Sequence, residues 1–137
     1  MIEFVKYEEL NLAIIVRSNF KHEGIKFFTP QDYSQQLGYM NRPKGYIIKP
    51  HSHKKIKRNV ENTNEVLFIK KGKLKVDFYN YDNNFIESRE LNKGDIILLI
   101  SGGHGFEILE DSEIFEVKQG PYAGDDDKIL FTKKEKN

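Results

Sequence analysis

Two histidines one residue apart, His51 and His53, are the residues of this chain whose type and spacing point most directly to chemistry. Apolar and β-branched neighbours predict an extended backbone, in which residues two apart project to the same side. Glu65 opens VLFI, a predicted strand that ends at Lys71 and Gly72, a plausible hairpin turn. We expect this strand to pair back and bring Glu65 near both imidazoles. Two histidines and a carboxylate suit a first-row transition metal and leave coordination positions open.

The spacing resembles the first motif of the cupin superfamily, which runs Gly, five residues, His-x-His, a short spacer, Glu, six residues and Gly. Gly45, His51, His53, Glu65 and Gly72 match this motif in type and order. One interval departs from it, because eleven residues separate His53 from Glu65, against three or four in the usual pattern.

The second cupin motif is matched more loosely, from Gly94 onward. It normally reads Gly, five residues, Pro-x-Gly, two residues, His, three residues and Asn. Here Ile100 stands where Pro is expected, His104 arrives one residue early and Ile108 replaces the Asn. The resemblance covers residues 36–118.

The resemblance implies that His104 joins His51, His53 and Glu65 as ligands of one divalent transition metal ion. This ligand set does not choose among Fe, Mn, Zn, Ni and Co. His22 lies in a polar turn and is expected to be exposed.

Five further side chains are candidates for substrate binding: Gln36, Arg58, Phe106, Lys118 and Tyr122. In cupins the strand before the His pair lines the barrel, so whichever of Gln35 and Gln36 faces inward would hydrogen-bond a ligand there; the alternative is a surface amide. Phe106 shares the predicted side of His104 and is either a wall against which a substrate packs or a plain core residue. Arg58 lies in the cationic spacer 54–64, which is either a lid for an anionic substrate or a solvated loop. The loop 119–128 either closes over the site or joins the barrel to a last strand at 129–131.

Composition excludes several classes of protein. The net charge of +1 gives no electrostatic case for binding nucleic acid or an anionic membrane. The absence of cysteine excludes disulfides and thiol nucleophiles. The N-terminus lacks the pattern of a signal peptide, and no apolar run reaches the roughly 20 residues that a membrane helix needs. We therefore expect a cytoplasmic protein.

Short strands separated by turns every few residues predict an all-β fold. Residues 73–79 alternate cleanly, with Leu74, Val76 and Phe78 on one side, and 80–84 have the composition of a turn. The predicted strands are about 3–7, 12–17, 25–29, 35–40, 73–79, 85–91, 96–100, 104–110 and 113–118, besides those of the first motif. The resemblance narrows the class to a double-stranded β-helix, or jelly-roll, barrel with extra N-terminal strands.

We expect a single domain over residues 1–137, with N-terminal strands at 2–29, the core motifs at 36–118 and a C-terminal loop and tail at 119–137. The expected activity is that of a metal-dependent isomerase, epimerase, lyase or oxygenase acting on a small polar, anionic molecule such as a sugar derivative or carboxylic acid. The alternative is a cupin module that binds a small ligand without turnover. Cupins commonly pair, so we expect a homodimer that uses the N-terminal strands.

Overall fold

A computed structural model describes residues 1–133; residues 134–137, the end of the predicted C-terminal tail, lie outside the described part. The strands in chain order are β1 (Ile2–Tyr7), β2 (Leu10–Val16), β3 (Gly24–Phe27), β4 (Gly38–Asn41), β5 (Glu65–Tyr79), β6 (Phe85–Asn92), β7 (Ile96–Leu99) and β8 (Gly103–Lys118), followed by a 3₁₀ turn at Gly124–Asp127. The predicted all-β class is confirmed. None of the helical structure in residues 1–133 is long and apolar enough to cross a membrane.

The chain divides into two compact units. Unit 1 comprises Met1–Phe20 and the chain from Thr63 onward, and unit 2 comprises Lys21–Asn62. The expectation of one domain over the whole chain stays a prediction.

Unit 1 is one strongly curled antiparallel sheet that forms a half-barrel. Its strands follow the order β1-β2-β7-β5-β6, with β8 also paired to β5. The first residues of β5 pair with β7, its last residues pair with β6, and β8 runs beside almost the whole of β5. The long β5–β8 ribbon therefore lies beside β7 at one end and beside β6 at the other.

Gly72 lies inside β5, so the predicted hairpin turn at Lys71 and Gly72 is wrong. The backbone at Gly72 has φ 90°, and the pairing with β8 shifts register on either side of it. A Cβ there would lie 2.3 Å from the carbonyl oxygen of Asp111. Glycine allows positive φ and close approach of the opposite backbone, which bends the strand without reversing it.

Two further expectations about strands are corrected. The stretches 104–110 and 113–118 form one strand, β8, because it follows β5 around the bend. The histidine pair does not lie on a strand that pairs with the Glu65 strand, because within residues 1–133 the partners of β5 are β6, β7 and β8.

The core of unit 1 lies on the inner face of the curled sheet. The predicted alternation in β5 is confirmed, since Leu74, Val76 and Phe78 are buried. The core cluster consists of Val5, Leu12, Ala13, Ile15, Leu67, Ile69, Leu74, Val76, Phe78, Leu91, Ile97 and Leu99. Burial of this apolar surface is the main stabilising contribution of the half-barrel.

A buried carboxylate, Asp95, fixes the turn before β7. It accepts hydrogen bonds from the backbone N–H groups of Ser18 (2.9 Å) and Asn92 (2.7 Å) and from the guanidinium of Arg17 (3.0 Å). Arg17 also donates to Glu3, at 2.6 Å and 3.1 Å. This network satisfies polar groups where the ends of β1, β2 and β7 meet.

Unit 2 contains the β3–β4 hairpin and a long segment without strands, residues 42–62. The loop between the two strands is held by Gln36, whose amide nitrogen donates to the carbonyl oxygens of Pro30 and Tyr33, each at 2.8 Å. Thr29 donates its hydroxyl to the Gln36 amide oxygen at 2.8 Å. The predicted strands 25–29 and 35–40 are thus shorter than expected, because the last backbone bond joins the Phe28 N–H to the Leu37 carbonyl oxygen and side-chain bonds hold the loop beyond it.

Candidate functional site

Glu65 and His104 meet in unit 1. The imidazole Nε2 of His104 lies 3.8 Å from Oε1 of Glu65. Glu65 is the first residue of β5 and pairs with Lys118, whereas His104 pairs with Phe78 near the other end of β5. A straight strand from Glu65 to Phe78 would be roughly 43 Å long. The curl of the ribbon therefore brings the two side chains together.

Glu116 and Lys118 complete this group on β8. The Lys118 Nζ lies 3.9 Å from Oε1 of Glu65 and 3.9 Å from Oε1 of Glu116. Glu116 pairs with Leu67 in the register of β5 and β8, which places it on the inner face with Glu65. The two carboxyl groups share a hydrogen bond.

Burial raises the pKa of Glu65 to about 7, and the hydrogen bond and negative charge of Glu116 act in the same direction, while Lys118 opposes the change. The pKa of Glu116 is lowered, first because of its hydrogen bond with Glu65. Two close carboxyl groups repel each other when both are ionised, so the pair retains one proton more readily than an isolated glutamate.

His104 is partly buried, and desolvation lowers its pKa below the usual value for histidine. The positive charges of Lys118 and Lys128 act in the same direction, and Glu116 opposes them. The imidazole is therefore neutral at pH 7, the form in which histidine binds metals. The ring of Phe106 lies 5.4 Å from the imidazole, centroid to centroid, beside it on the same strand.

The distance between Glu65 and His104 fits two ligands of one ion. Metal–donor distances of about 2.1 Å allow two ligand atoms to lie up to roughly 4.2 Å apart, and the observed 3.8 Å is within this limit. Within residues 1–133, however, no three His, Asp or Glu side chains are already arranged to hold a metal ion.

His51 and His53 lie in unit 2, in an exposed segment. Their rings contact each other edge to face, with centroids 5.5 Å apart. The Nδ1 atom of His51 lies 2.8 Å from the carbonyl oxygen of Lys49. A bond at Nδ1 leaves Nε2 as the atom available to a metal.

The other predicted substrate-binding residues are distributed as follows. Lys118 and Phe106 lie beside Glu65 and His104, respectively. Gln36 uses its amide for the local hydrogen bonds of unit 2. Arg58 and Tyr122 are exposed. Substrate binding by these residues stays a prediction.

Two residues of the site do not follow from the sequence motifs. Glu116 follows instead from the alternation of β8, because it is two residues before Lys118 and shares its side of the strand. Lys128 acts electrostatically on Glu65, Glu116 and His104, although it follows an acidic run in a predicted loop. Its sequence context contains no signal for this role.

Comparison of the chain with models of protein families, with curated proteins and with solved structures found no match.

Proposed function

We propose that this chain is a metal-dependent cupin enzyme with a jelly-roll, double-stranded β-helix barrel, acting on a small polar, anionic substrate such as a sugar derivative or carboxylic acid. The proposed ligands of the divalent transition metal ion are His51, His53, Glu65 and His104. The observation that carries the proposal is the meeting of Glu65 and His104 from opposite ends of the β5–β8 ribbon.

Side chains around the proposed ligands have roles that follow from their contacts. Glu116 shares a hydrogen bond with Glu65 and would orient that carboxylate. Lys118 faces both glutamates and would bind an anionic group of the substrate. Phe106 provides an apolar wall beside His104.

A bound metal ion would supply Lewis-acid polarisation of a substrate carbonyl or hydroxyl, or oxygen chemistry if the ion is iron. The proposed reaction classes are accordingly isomerase, epimerase or lyase chemistry and oxygenase chemistry.

Metal binding is tested first on the full chain purified without added metal. We expect elemental analysis to find about one equivalent of a transition metal, and His104→Ala and Glu65→Gln each to lower metal affinity by at least about tenfold. His22→Ala is the matched control, because it removes an exposed histidine outside the proposed ligand set. Equal metal affinity in His104→Ala and His22→Ala would refute the proposed ligand set.

The histidine pair is tested separately. We expect His51→Ala and His53→Ala to weaken metal binding as His104→Ala does. If only the Glu65 and His104 variants lose metal, the ion is bound without the unit 2 histidines. If none of the four variants does, the metal-dependent proposal fails.

A second candidate is a cupin module that binds a small ligand without turnover. It is favoured by the contacts of Lys118 with Glu65 and Glu116, which form a polar group able to hydrogen-bond a ligand directly. Micromolar metal binding separates the two: if Mn, Fe, Co, Ni and Zn all fail to bind at micromolar concentration, the binding module becomes the better account.

The proposal includes a cytoplasmic homodimer that pairs through the N-terminal strands. Light scattering after size exclusion should give about twice the chain mass of 16.1 kDa. A mass equal to one chain would remove this part of the proposal.

A further inference from the structure

The C-terminal segment 127–133, which we call the strap, is attached at both ends to unit 1. At its start, the hydroxyl of Thr63 donates a hydrogen bond to the carboxylate of Asp127. Thr63 is two residues before Glu65. The first attachment of the strap is therefore close to one of the two proposed ligands in unit 1.

The far end of the strap is attached near the other proposed ligand. The ring of Phe131 contacts that of Tyr79 edge to face, with centroids 5.0 Å apart. It also covers Gly103, where an added Cβ would lie 2.9 Å from the Phe131 ring. Gly103 directly precedes His104.

Lys133 strengthens this second attachment. Its Nζ lies 3.3 Å from Oδ2 of Asp77 and 4.5 Å from the centre of the Phe85 ring. A salt bridge and a cation–π contact thus hold the strap beside β5 and β6.

Residues 128–130 run between these two attachments, from the Glu65 side to the His104 side. Ile129 and Leu130 are 86% and 88% exposed, so packing does not hold the middle of the strap. The ammonium group of Lys128 acts electrostatically on Glu65, His104 and Glu116. The strap therefore brings a cation to the site on a segment that is fixed at its ends and exposed at its centre.

We propose that Lys128 and Lys118 form an anion subsite beside Glu65 and His104, which takes the carboxylate or phosphate group of a small ligand. Lys118 and Lys128 carry two positive charges, whereas the raised pKa of Glu65 leaves the Glu65–Glu116 pair with fewer than two negative charges near pH 7. The inference rests on the proposed function for the rest of the excess of positive charge, which a divalent ion at Glu65 and His104 would provide. An anion between the two lysines would neutralise this excess and accept charge-assisted hydrogen bonds.

The subsite is tested with inorganic phosphate and, separately, acetate as probes, on the ¹⁵N-labelled full chain with and without Zn²⁺. We expect amide resonances of residues 104, 118 and 127–131 to shift on titration. Lys128→Gln should weaken binding of the preferred probe by about tenfold, the effect of losing one hydrogen bond to a charged group. The probe that binds with the higher affinity, phosphate or acetate, identifies the class of anion that the subsite takes.

The matched control is Lys93→Gln, which removes the same charge from an exposed turn. This turn precedes the start of β7, whereas Glu65 pairs with Leu99 at the end of β7. We expect it to change the affinity less than about twofold, because exposed charges at a distance are screened by salt. Equal weakening by Lys128→Gln and Lys93→Gln would mean that only net charge matters, and would overturn the subsite. The thermal midpoint of Lys128→Gln should equal that of the native chain, since a structural role for Lys128 would lower it.

A second measurement tests the strap itself. Trypsin cleaves after Lys128, and we expect the probe anion to slow this cleavage at least about threefold in the native chain, as followed by mass spectrometry. Phe131→Ala should speed cleavage without the anion, because it removes one attachment. Cleavage at the same rate with and without the anion would overturn the role of the strap.

Failure of this inference is distinguishable from failure of the proposed function. If metal binds and Lys128→Gln leaves anion affinity unchanged, the subsite alone is refuted. If no metal binds but anion affinity falls in Lys128→Gln, the subsite stands and the metal-dependent function fails.

Discussion

Replacing Gly72 by alanine should strongly destabilise the half-barrel, because two penalties coincide at this position. The backbone has φ 90°, a conformation that costs a residue with a Cβ about 1–2 kcal/mol. The Cβ would also lie 2.3 Å from the Asp111 carbonyl oxygen and 2.8 Å from the Ser112 Cα, both backbone atoms of β8. Relieving such overpacking typically costs about a further 1–3 kcal/mol.

The expected loss in Gly72→Ala is therefore about 2–5 kcal/mol in the free energy of unfolding. Urea unfolding followed by far-ultraviolet circular dichroism measures it directly. Gly45→Ala is the control for conformation alone, since Gly45 has φ 89° and nothing lies within 4 Å of its added Cβ. We expect that variant to lose only about 1–2 kcal/mol.

Gly72→Ala should also weaken metal binding, because the bend at Gly72 lies in the ribbon that brings Glu65 to His104. A Gly72→Ala protein as stable as Gly45→Ala would refute the argument that close approach of β8 requires glycine at the bend.

Two further predictions concern the network at the end of β1, β2 and β7. The pKa of Glu3 is lowered in the folded protein, first by its hydrogen bond with Arg17. The ionised carboxylate therefore stabilises the fold at any pH above the pKa that Glu3 has in the unfolded chain. This stabilisation is lost as the pH falls through the lower pKa of the folded protein. The urea midpoint of the native chain should therefore fall on acidification below about pH 4.5. Glu3→Gln should reduce that fall. The same pH dependence of the urea midpoint in the native chain and in Glu3→Gln would contradict the prediction. Asp95→Ala should lower the free energy of unfolding by about 3 kcal/mol, because it leaves two backbone N–H groups without their acceptor. Asp95→Asn, which keeps an acceptor oxygen, should lower it less. Equal losses for the two variants in urea unfolding would show that the hydrogen bonds are not the cause.

The parts of the fold that depend on neighbouring residues were predictable. The alternation of Leu74, Val76 and Phe78 indicated the buried side of β5, and the polar run 80–84 indicated the turn that precedes β6. Side chains in a strand alternate whatever its partners are, so such a pattern is readable from a few residues.

The bend at Gly72 was not predictable, because a glycine after a lysine is compatible with both a reversal and a bulge. Local sequence does not distinguish them. The choice depends on whether β5 continues beside β8, whose partner residues come from far along the chain.

The sequence by itself determined that this is an all-β chain, which residues of β5 are buried, and which side chains are candidates for a site: His51, His53, Glu65 and His104. Only the tertiary structure decided that Glu65 and His104 meet and that Glu116 and Lys118 join them. It also decided that the strap, attached at Thr63 through Asp127, lets the positive charge of Lys128 act on the same residues. The physical reason is that alternation is a property of a single strand. The closing of a curled ribbon depends on pairing between distant strands along its whole length.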